Sequence, residues 1–441
     1  MAEVQFGKSV GVISFGCPKN LVDTEKILFL LTRKGFNIVS RKEDADIIII
    51  NTCTFIETAT EESEQAIKEI CLLKRKKKSL RIIVVGCLAQ RKKSKLLNKW
   101  PQIDAILGPS QGENIIKVIS SIISSKESFV NTEMIPRKQG AKRLIATPKY
   151  MAYLQIAHGC SKGCTYCVIP RLRGPYRSRP MSLIIKEAKE LSAMGVRELN
   201  IIAQDITEYG RDLYGRPVLV DLLYELEKIA GIHWIRLMYV YPEGVTKDLM
   251  QFLSESAKIC NYLDMPMQHA DDYILKKMGR MGISSDLEKN INRLREQVPN
   301  IAIRSSFIIG FPGETEERFQ NLLKFISKVK IDRLGLFEYS REKGTLASMM
   351  KGQISRQLKK QRKKIVRQLQ AKISKNRNKE YVKKEIEILF TDRQGGRSFR
   401  DAPEIDGFVY CLNNFQPGTF ARVLICQALT HDLKGVLVES T

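Results

Sequence analysis

Three cysteines within eight residues constrain this chain more than any other feature. The segment His158-Gly159-Cys160-Ser161-Lys162-Gly163-Cys164-Thr165-Tyr166-Cys167 sets its thiols at CxxxCxxC spacing just after an apolar run. A loop that wraps three side chains around one centre cannot continue as helix or strand, and Gly159 and Gly163 let its backbone fold tightly. Packing alone would not impose the spacing, because a buried free cysteine behaves as a small hydrophobe wherever it falls. A four-iron cubane cluster held wholly by protein takes four cysteines, so three leave one iron open to an outside ligand. S-adenosylmethionine suits that iron: its amine and carboxylate chelate the metal and set the sulfonium against the cluster for reductive cleavage. A zinc site completed by His158 is the alternative, although HxCxxxCxxC is not a usual zinc spacing.

The surrounding sequence reads as α/β. In the first third, residues 10–15, 47–50 and 82–85 are short and apolar on both faces, as buried parallel strands are. Each is followed by a cysteine: Cys17, Cys53 and Cys87. Parallel strands would bring the three to one sheet edge, the carboxyl end, where open α/β sheets bind ligands, so a second metal centre is expected there. Residues 57–78 read as a helix with acids early and bases late, which suits its dipole, and Cys71 falls on its apolar face. Cys260, Cys411 and Cys426 have no neighbour at ligand spacing.

Residues 131–147 are polar and basic, as a linker between domains is. Six further strands are expected at 151–157, 198–203, 234–240, 262–266, 301–309 and 334–339, alternating with helices, one of them bracketed by Pro180 and Gly195. Six βα units make a partial barrel with its chemistry at the strands' carboxyl ends. There Gln204 and Asp205 end one strand, and the turn Gly310-Phe311-Pro312-Gly313-Glu314 ends another in a form able to cradle a nucleoside, as any βα junction also could. Residues 353–380 are basic and helical, and a solvated face is their plainest reading. From 384 to 441, short strands at 408–412, 419–426 and 435–439 suggest a small β-barrel of the RNA-binding kind.

The chain carries 73 Lys and Arg against 48 Asp and Glu, a net charge of +25. That field attracts nucleic acid, ribosomes or anionic membrane, though solubility alone would also be served by it. No apolar stretch is long enough to span a bilayer, and the first twenty residues lack the order of a signal peptide, so a cytoplasmic protein without a membrane partner is expected. In that reducing compartment, clustered cysteines point to metal or redox work rather than to disulfides.

With both cysteine sets in view, the chain resembles the methylthiotransferase branch of the radical S-adenosylmethionine superfamily along nearly its whole length. The resemblance rests on Gly16-Cys17-Pro18-Lys19-Asn20-Leu21-Val22-Asp23, Asn51-Thr52-Cys53, Gly86-Cys87-Leu88-Ala89-Gln90-Arg91 and the CxxxCxxC loop. It implies an N-terminal open α/β domain (8–130) with an auxiliary cluster, a partial (β/α)6 radical core (142–370) and a small C-terminal TRAM β-barrel (374–441). Residues 262–269 and 402–407 are similar to the group that modifies an aspartate of small-subunit ribosomal protein twelve. The tRNA adenosine methylthiotransferases are the alternative, and a zinc-containing RNA-binding protein a more distant one. The resemblance further implies two [4Fe-4S] clusters, on Cys17, Cys53 and Cys87 and on Cys160, Cys164 and Cys167. S-adenosylmethionine would serve once as methyl donor and once as radical source, with Tyr166, Gln204, Gly310, Pro312 and Gly313 assigned to its site. A sulfur donor and an electron donor such as flavodoxin or ferredoxin would be partners, with the substrate met on or near a ribosomal subunit. His158 stands where the family often has Glu, and Met265 and Met267 replace aliphatic residues. None of these changes removes a cluster ligand.

Overall fold

A computed structural model describes residues 7–124, 128–135 and 140–438. The chain forms two compact units. The first takes residues up to 147 together with 158–162 and 168–183; the second takes 148–157, 163–167 and the chain from 184 onward.

In the first unit six parallel strands run in the order Asn37–Val39, Ser9–Ser14, Ile47–Thr52, Arg81–Gly86, Ala105–Leu107 and Phe129–Asn131. Side chains alternate across a strand, so Ile47 and Ile49 join Ile27, Leu31 and Val118 in one core, while Ile48 and Ile50 join Ile67, Ile70 and Cys71 in the other. Both faces are covered, which is why four isoleucines stand in a row instead of alternating with polar residues. The three strands expected from the sequence lie at the centre. The three it did not reveal have only three residues each, too few to stand out as apolar runs.

Of the polar stretch 131–147, positions 136–139 lie outside the described residues. Its later part is bound to the first unit. The Leu144 amide donates to the Glu25 carbonyl at 3.0 Å, the Ala146 amide to the Glu25 carboxylate at 2.9 Å, and Arg143 forms a buried ion pair with the same carboxylate. Composition reads this stretch as a linker because it carries few apolar residues, whereas what holds it is charge.

The second unit contains an open sheet of six parallel strands in chain order: Met151–Gln155, Glu198–Ile202, Trp234–Leu237, Ile259–Asp264, Ala302–Ile309 and Arg333–Glu338. Consecutive parallel neighbours with helical crossovers make a partial barrel. All six expected strands are present, with ends shifted by three residues at most. The helix Arg356–Lys379 leads into a closed barrel of Glu385–Asp392, Gly395–Ser398, Val409–Tyr410, Phe420–Ala428 and Leu433–Leu437. Glu439, assigned to its last strand from the sequence, lies outside the described residues.

The loop after Gly395–Ser398 packs into the partial barrel from the amino ends of its strands. Glu198, which opens its strand, is fully buried between Arg236 (3.1 Å) and Arg397. Arg304 pairs with Asp264 at 2.8 Å and with Asp406 at 3.3 Å, and the Tyr262 hydroxyl donates to Asp406 at 2.7 Å. Arg333 pairs with Asp401 at 2.6 Å. One end of the sheet is thereby sealed by ion pairs, and the carboxyl ends are left for chemistry.

Candidate metal and cofactor centres

In the first unit Cys17, Cys53 and Cys87 follow three adjacent parallel strands. The order of the sheet reverses beside the first of these strands, the position at which an open α/β sheet leaves a crevice. Gly16 makes room for the arrangement. Its φ is 95°, and a Cβ there would lie 2.7 Å from the Cβ of Cys53 and 2.8 Å from its sulfur. Asn20 ties the strand ends together, donating to the carbonyls of Phe15 at 2.8 Å and Thr52 at 3.1 Å.

A buried cation sits among these thiols. Arg173 is hydrogen-bonded to Asp23 at 3.1 Å and to the Asn20 side chain at 2.7 Å, and interacts electrostatically with Cys87 and Cys17. Burial works against ionisation of Cys17, yet the charges of Lys19 and Arg173 outweigh it and hold this thiol below its ordinary range. Burial pushes the Cys53 thiol up to about 11 and raises that of Cys87. The three thus sense one another and one cation. Cys160 belongs to the same unit, and its amide donates to the carbonyl of Gly174, the residue after Arg173, at 3.0 Å.

The second unit holds Cys164, Tyr166 and Cys167 at the carboxyl side of the partial barrel. The Cys164 sulfur lies 3.8 Å from the Tyr241 hydroxyl, and the Arg280 guanidinium stacks on the Tyr241 ring at 4.0 Å. Thr165 anchors the loop: its amide donates to the Met278 carbonyl at 3.0 Å and its hydroxyl to the Lys277 carbonyl at 2.8 Å. Tyr166 meets Phe311 edge-on at 6.4 Å and shares an apolar cluster with Ile274, Met278 and Tyr339. Burial, reinforced by Cys164, pushes its hydroxyl well above the usual range, so Tyr166 stays neutral.

The turn Gly310–Gly313 is therefore brought to Tyr166. Glu314 closes the turn by accepting from the Gly310 amide at 2.9 Å while bound to Arg362 at 2.8 Å. At Gly310 (φ 74°) a Cβ would lie 2.3 Å from Cγ of Lys359, whose stem crosses the turn and whose ammonium donates to the Tyr339 carbonyl at 2.7 Å. Pro312 is buried, and the Gly313 amide donates to the Gly352 carbonyl at 2.9 Å. Gln204 is half-buried and follows a strand three places away along the sheet, so it does not join this group. Neighbouring Asp205 is fully buried and accepts from the Thr207 amide at 2.9 Å, a turn-capping role.

Arg173, Tyr241 and Arg280 were not singled out from the sequence, and Lys359 was read only as part of a basic helical face. An isolated Arg, Lys or Tyr far from a motif carries no local signal. Among the described residues no group of three or more His, Cys, Asp or Glu converges tightly enough to grip a single metal ion. A cubane cluster makes a different demand, one thiolate per iron around a larger body.

Three family models match in chain order: Uncharacterized protein family UPF0004 over residues 9–108, the Radical SAM superfamily over 154–326 and the TRAM domain over 386–438. Among curated proteins, the chain is 43% identical over 448 residues to the ribosomal protein uS12 methylthiotransferase RimO of Pelotomaculum thermopropionicum, covering 98% of this chain and 100% of the relative. It is 44% identical over 445 residues to the RimO of Clostridioides difficile, with 98% and 99% covered. Among solved structures, TsrM from Kitasatospora setae, a radical S-adenosylmethionine methyltransferase with cobalamin and a [4Fe-4S] cluster bound, superposes with a TM-score of 0.56. That match covers 76% of this chain and 75% of TsrM at 15% identity, a likeness of fold.

Proposed function

Because the chain belongs to the RimO family of ribosomal protein uS12 methylthiotransferases, radical S-adenosylmethionine enzymes, we propose that it attaches a methylthio group to the β-carbon of an aspartate in uS12. The observation that carries this reading is a match over 98% of the chain to relatives of that name. Neither the tRNA reading nor the zinc reading has comparable support.

When bound, two [4Fe-4S] clusters would relay the electron and carry the sulfur, and S-adenosylmethionine would supply the radical and the methyl group. In this reading Cys160, Cys164 and Cys167 hold the cluster that S-adenosylmethionine meets, and Cys17, Cys53 and Cys87 hold the second. Support for the second set is the Gly16 cradle and the buried Arg173, which offsets thiolate charge. Arg280 would act likewise beside Cys164, keeping the Tyr241 hydroxyl oriented toward that sulfur. Tyr166, Gly310, Pro312 and Gly313 would line the S-adenosylmethionine side, where the Tyr166–Phe311 contact excludes water. Gln204 would reach the ligand from the opposite flank. The sealed amino end of the sheet keeps solvent from entering behind the reacting groups.

The partners in this proposal are uS12 on or near the small ribosomal subunit, an electron donor such as flavodoxin or ferredoxin, and a sulfur donor. We place the protein in the cytoplasm with them; no described helix is long and apolar enough to cross a membrane. Mass spectrometry of uS12 from cells with and without the gene tests the function. One methylthio group on an aspartate, lost on deletion, is expected. An unchanged uS12 with altered tRNA adenosines would move the chain's activity to tRNA.

A further inference from the structure

Two stretches are densest in positive charge: residues 74–99, with eleven Lys and Arg and no acid, and one helix of the second unit. Arg356–Lys379 contains eleven Lys and Arg and no acid, against a net charge of +25 for all 441 residues. The terminal barrel, residues 385–438, has five Lys and Arg against seven Asp and Glu. Two of those five, Arg397 and Arg400, are buried. The domain type expected from the sequence to grip RNA therefore has a slightly acidic composition, while the helix before it is strongly basic.

The helix sorts its cations by side. Four facing the protein are bound to it: Arg362 to Glu314 and Glu316, Lys363 to Glu338, Arg377 to Asp332 and Glu380, and Lys359 to the Tyr339 carbonyl. Val366, Gln370 and Ile373 are buried along that same side. On the other side Arg356, Lys360, Lys364, Arg367, Lys375 and Lys379 are all exposed. None of these six side chains has an ion-pair partner among the described residues. At 100° per residue they fall within an arc of about 140°, and at 1.5 Å per residue they extend over about 35 Å. Like charges three and four residues apart repel, so a helix serving only solubility would be expected to interleave acids on this face. A linear array of unpaired cations is instead complementary to a phosphate backbone, which gains from releasing its condensed counterions.

We propose that the outward face of Arg356–Lys379 is the docking surface for RNA, contacting the phosphate backbone without reading sequence, and that the terminal barrel is not the main electrostatic contact. This rests on the uS12 reading only in taking the RNA to be that of the small ribosomal subunit.

The test titrates the full-length protein with a labelled double-stranded RNA hairpin over a range of salt. Two matched triple variants are compared: Lys360→Gln with Lys364→Gln and Arg367→Gln on the helix, and Arg393→Gln with Arg422→Gln and Lys434→Gln on the barrel. Removing three phosphate contacts should lower the slope of log K against log salt by about 2.7, taking the duplex-DNA coefficient of about 0.9 per phosphate for the RNA duplex. The wild-type affinity should then fall about 40-fold more than the helix variant's between 50 and 200 mM salt. The barrel variant should keep the wild-type slope. An unchanged slope in the helix variant, an equal loss in the barrel variant, or binding of the wild type to anionic lipid vesicles but not to RNA would each overturn the proposal. A second readout concerns the substrate. The helix variant should modify free uS12 at the wild-type rate and uS12 in isolated small subunits more slowly. Because the RNA titration involves no chemistry, failure of docking is distinguishable from failure of the uS12 assignment.

Discussion

Replacing Arg397 with methionine should loosen the terminal barrel from the partial barrel. Glu198 is fully buried and shared between Arg236 and Arg397, while Arg397 also donates to the Asp401 carbonyl at 3.1 Å. Breaking one member of a buried ion pair costs about 3–5 kcal/mol, because the partner is left charged in a dry site. In Arg397→Met, Glu198 keeps Arg236, so the loss belongs near 3 kcal/mol; in Glu198→Gln two buried cations lose their anion, and the loss belongs near 5 kcal/mol. With a urea m-value of about 3 kcal/mol per molar for a unit of this size, the midpoints should fall by about 1 M and about 1.7 M. Trp234 is the natural probe: it stacks edge-on against Phe420 of the terminal barrel at 4.8 Å, and in a Trp100→Phe background it is the sole tryptophan of the two in the chain. A pH series adds a second check. Burial opposes ionisation of Glu198, but Arg397 and Arg236 outweigh it and hold its carboxyl below the ordinary range. The stabilisation is therefore complete above about pH 4.3, the ordinary glutamate value, and is lost as the pH falls through the lower folded value. Glu198→Gln should be flat across that window. A midpoint shift of only a few tenths molar, or an acid profile that Glu198→Gln leaves unchanged, would show that the triad contributes no more than a surface pair and would refute the reasoning.

The remaining predictions concern the thiol centres. Cys164→Ala should abolish reductive cleavage of S-adenosylmethionine, whereas Cys53→Ala should spare cleavage and stop sulfur insertion; each should lower iron after anaerobic reconstitution from about eight to about four per chain. Gly16→Ala places a Cβ 2.7 Å from that of Cys53 at a φ of 95°, so it should cost about 1–3 kcal/mol and reduce iron loading in the first unit. A Gly16→Ala protein with full iron and wild-type stability would argue against a tight cradle. Arg173→Met removes the cation among Cys17, Cys53 and Cys87 and should make the second cluster harder to reduce, seen as a more negative midpoint in a redox titration followed by EPR; an unmoved midpoint would leave Arg173 with only its structural bonds to Asn20 and Asp23.

Local pattern was enough for a good part of this molecule. The three central strands of the first sheet are nearly continuous apolar runs, legible because a strand buried on both faces tolerates little else; the six of the partial barrel are mainly apolar but interrupted by residues such as Asn200, Arg236 and Arg304. The cysteine spacings were legible as pattern too: thiols on one loop, or following successive parallel strands, leave a regular mark in the chain. The short strands Asn37–Val39, Ala105–Leu107 and Phe129–Asn131 were not, since three residues form no period.

Sequence by itself determined the order of the α/β, barrel and β-barrel segments and showed two regular sets of cysteines, because hydrophobic periodicity and residue spacing are written along the chain. Tertiary structure alone decided which charges those segments answer to. Arg173 reaches Asn20 across 153 positions, and Arg397 reaches Glu198 across 199. It also decided which cations of Arg356–Lys379 are matched inward and which are left facing water. A charged side chain looks the same in sequence wherever it sits. Its role depends on the burial and the partner that folding supplies, and both come from residues far away along the chain.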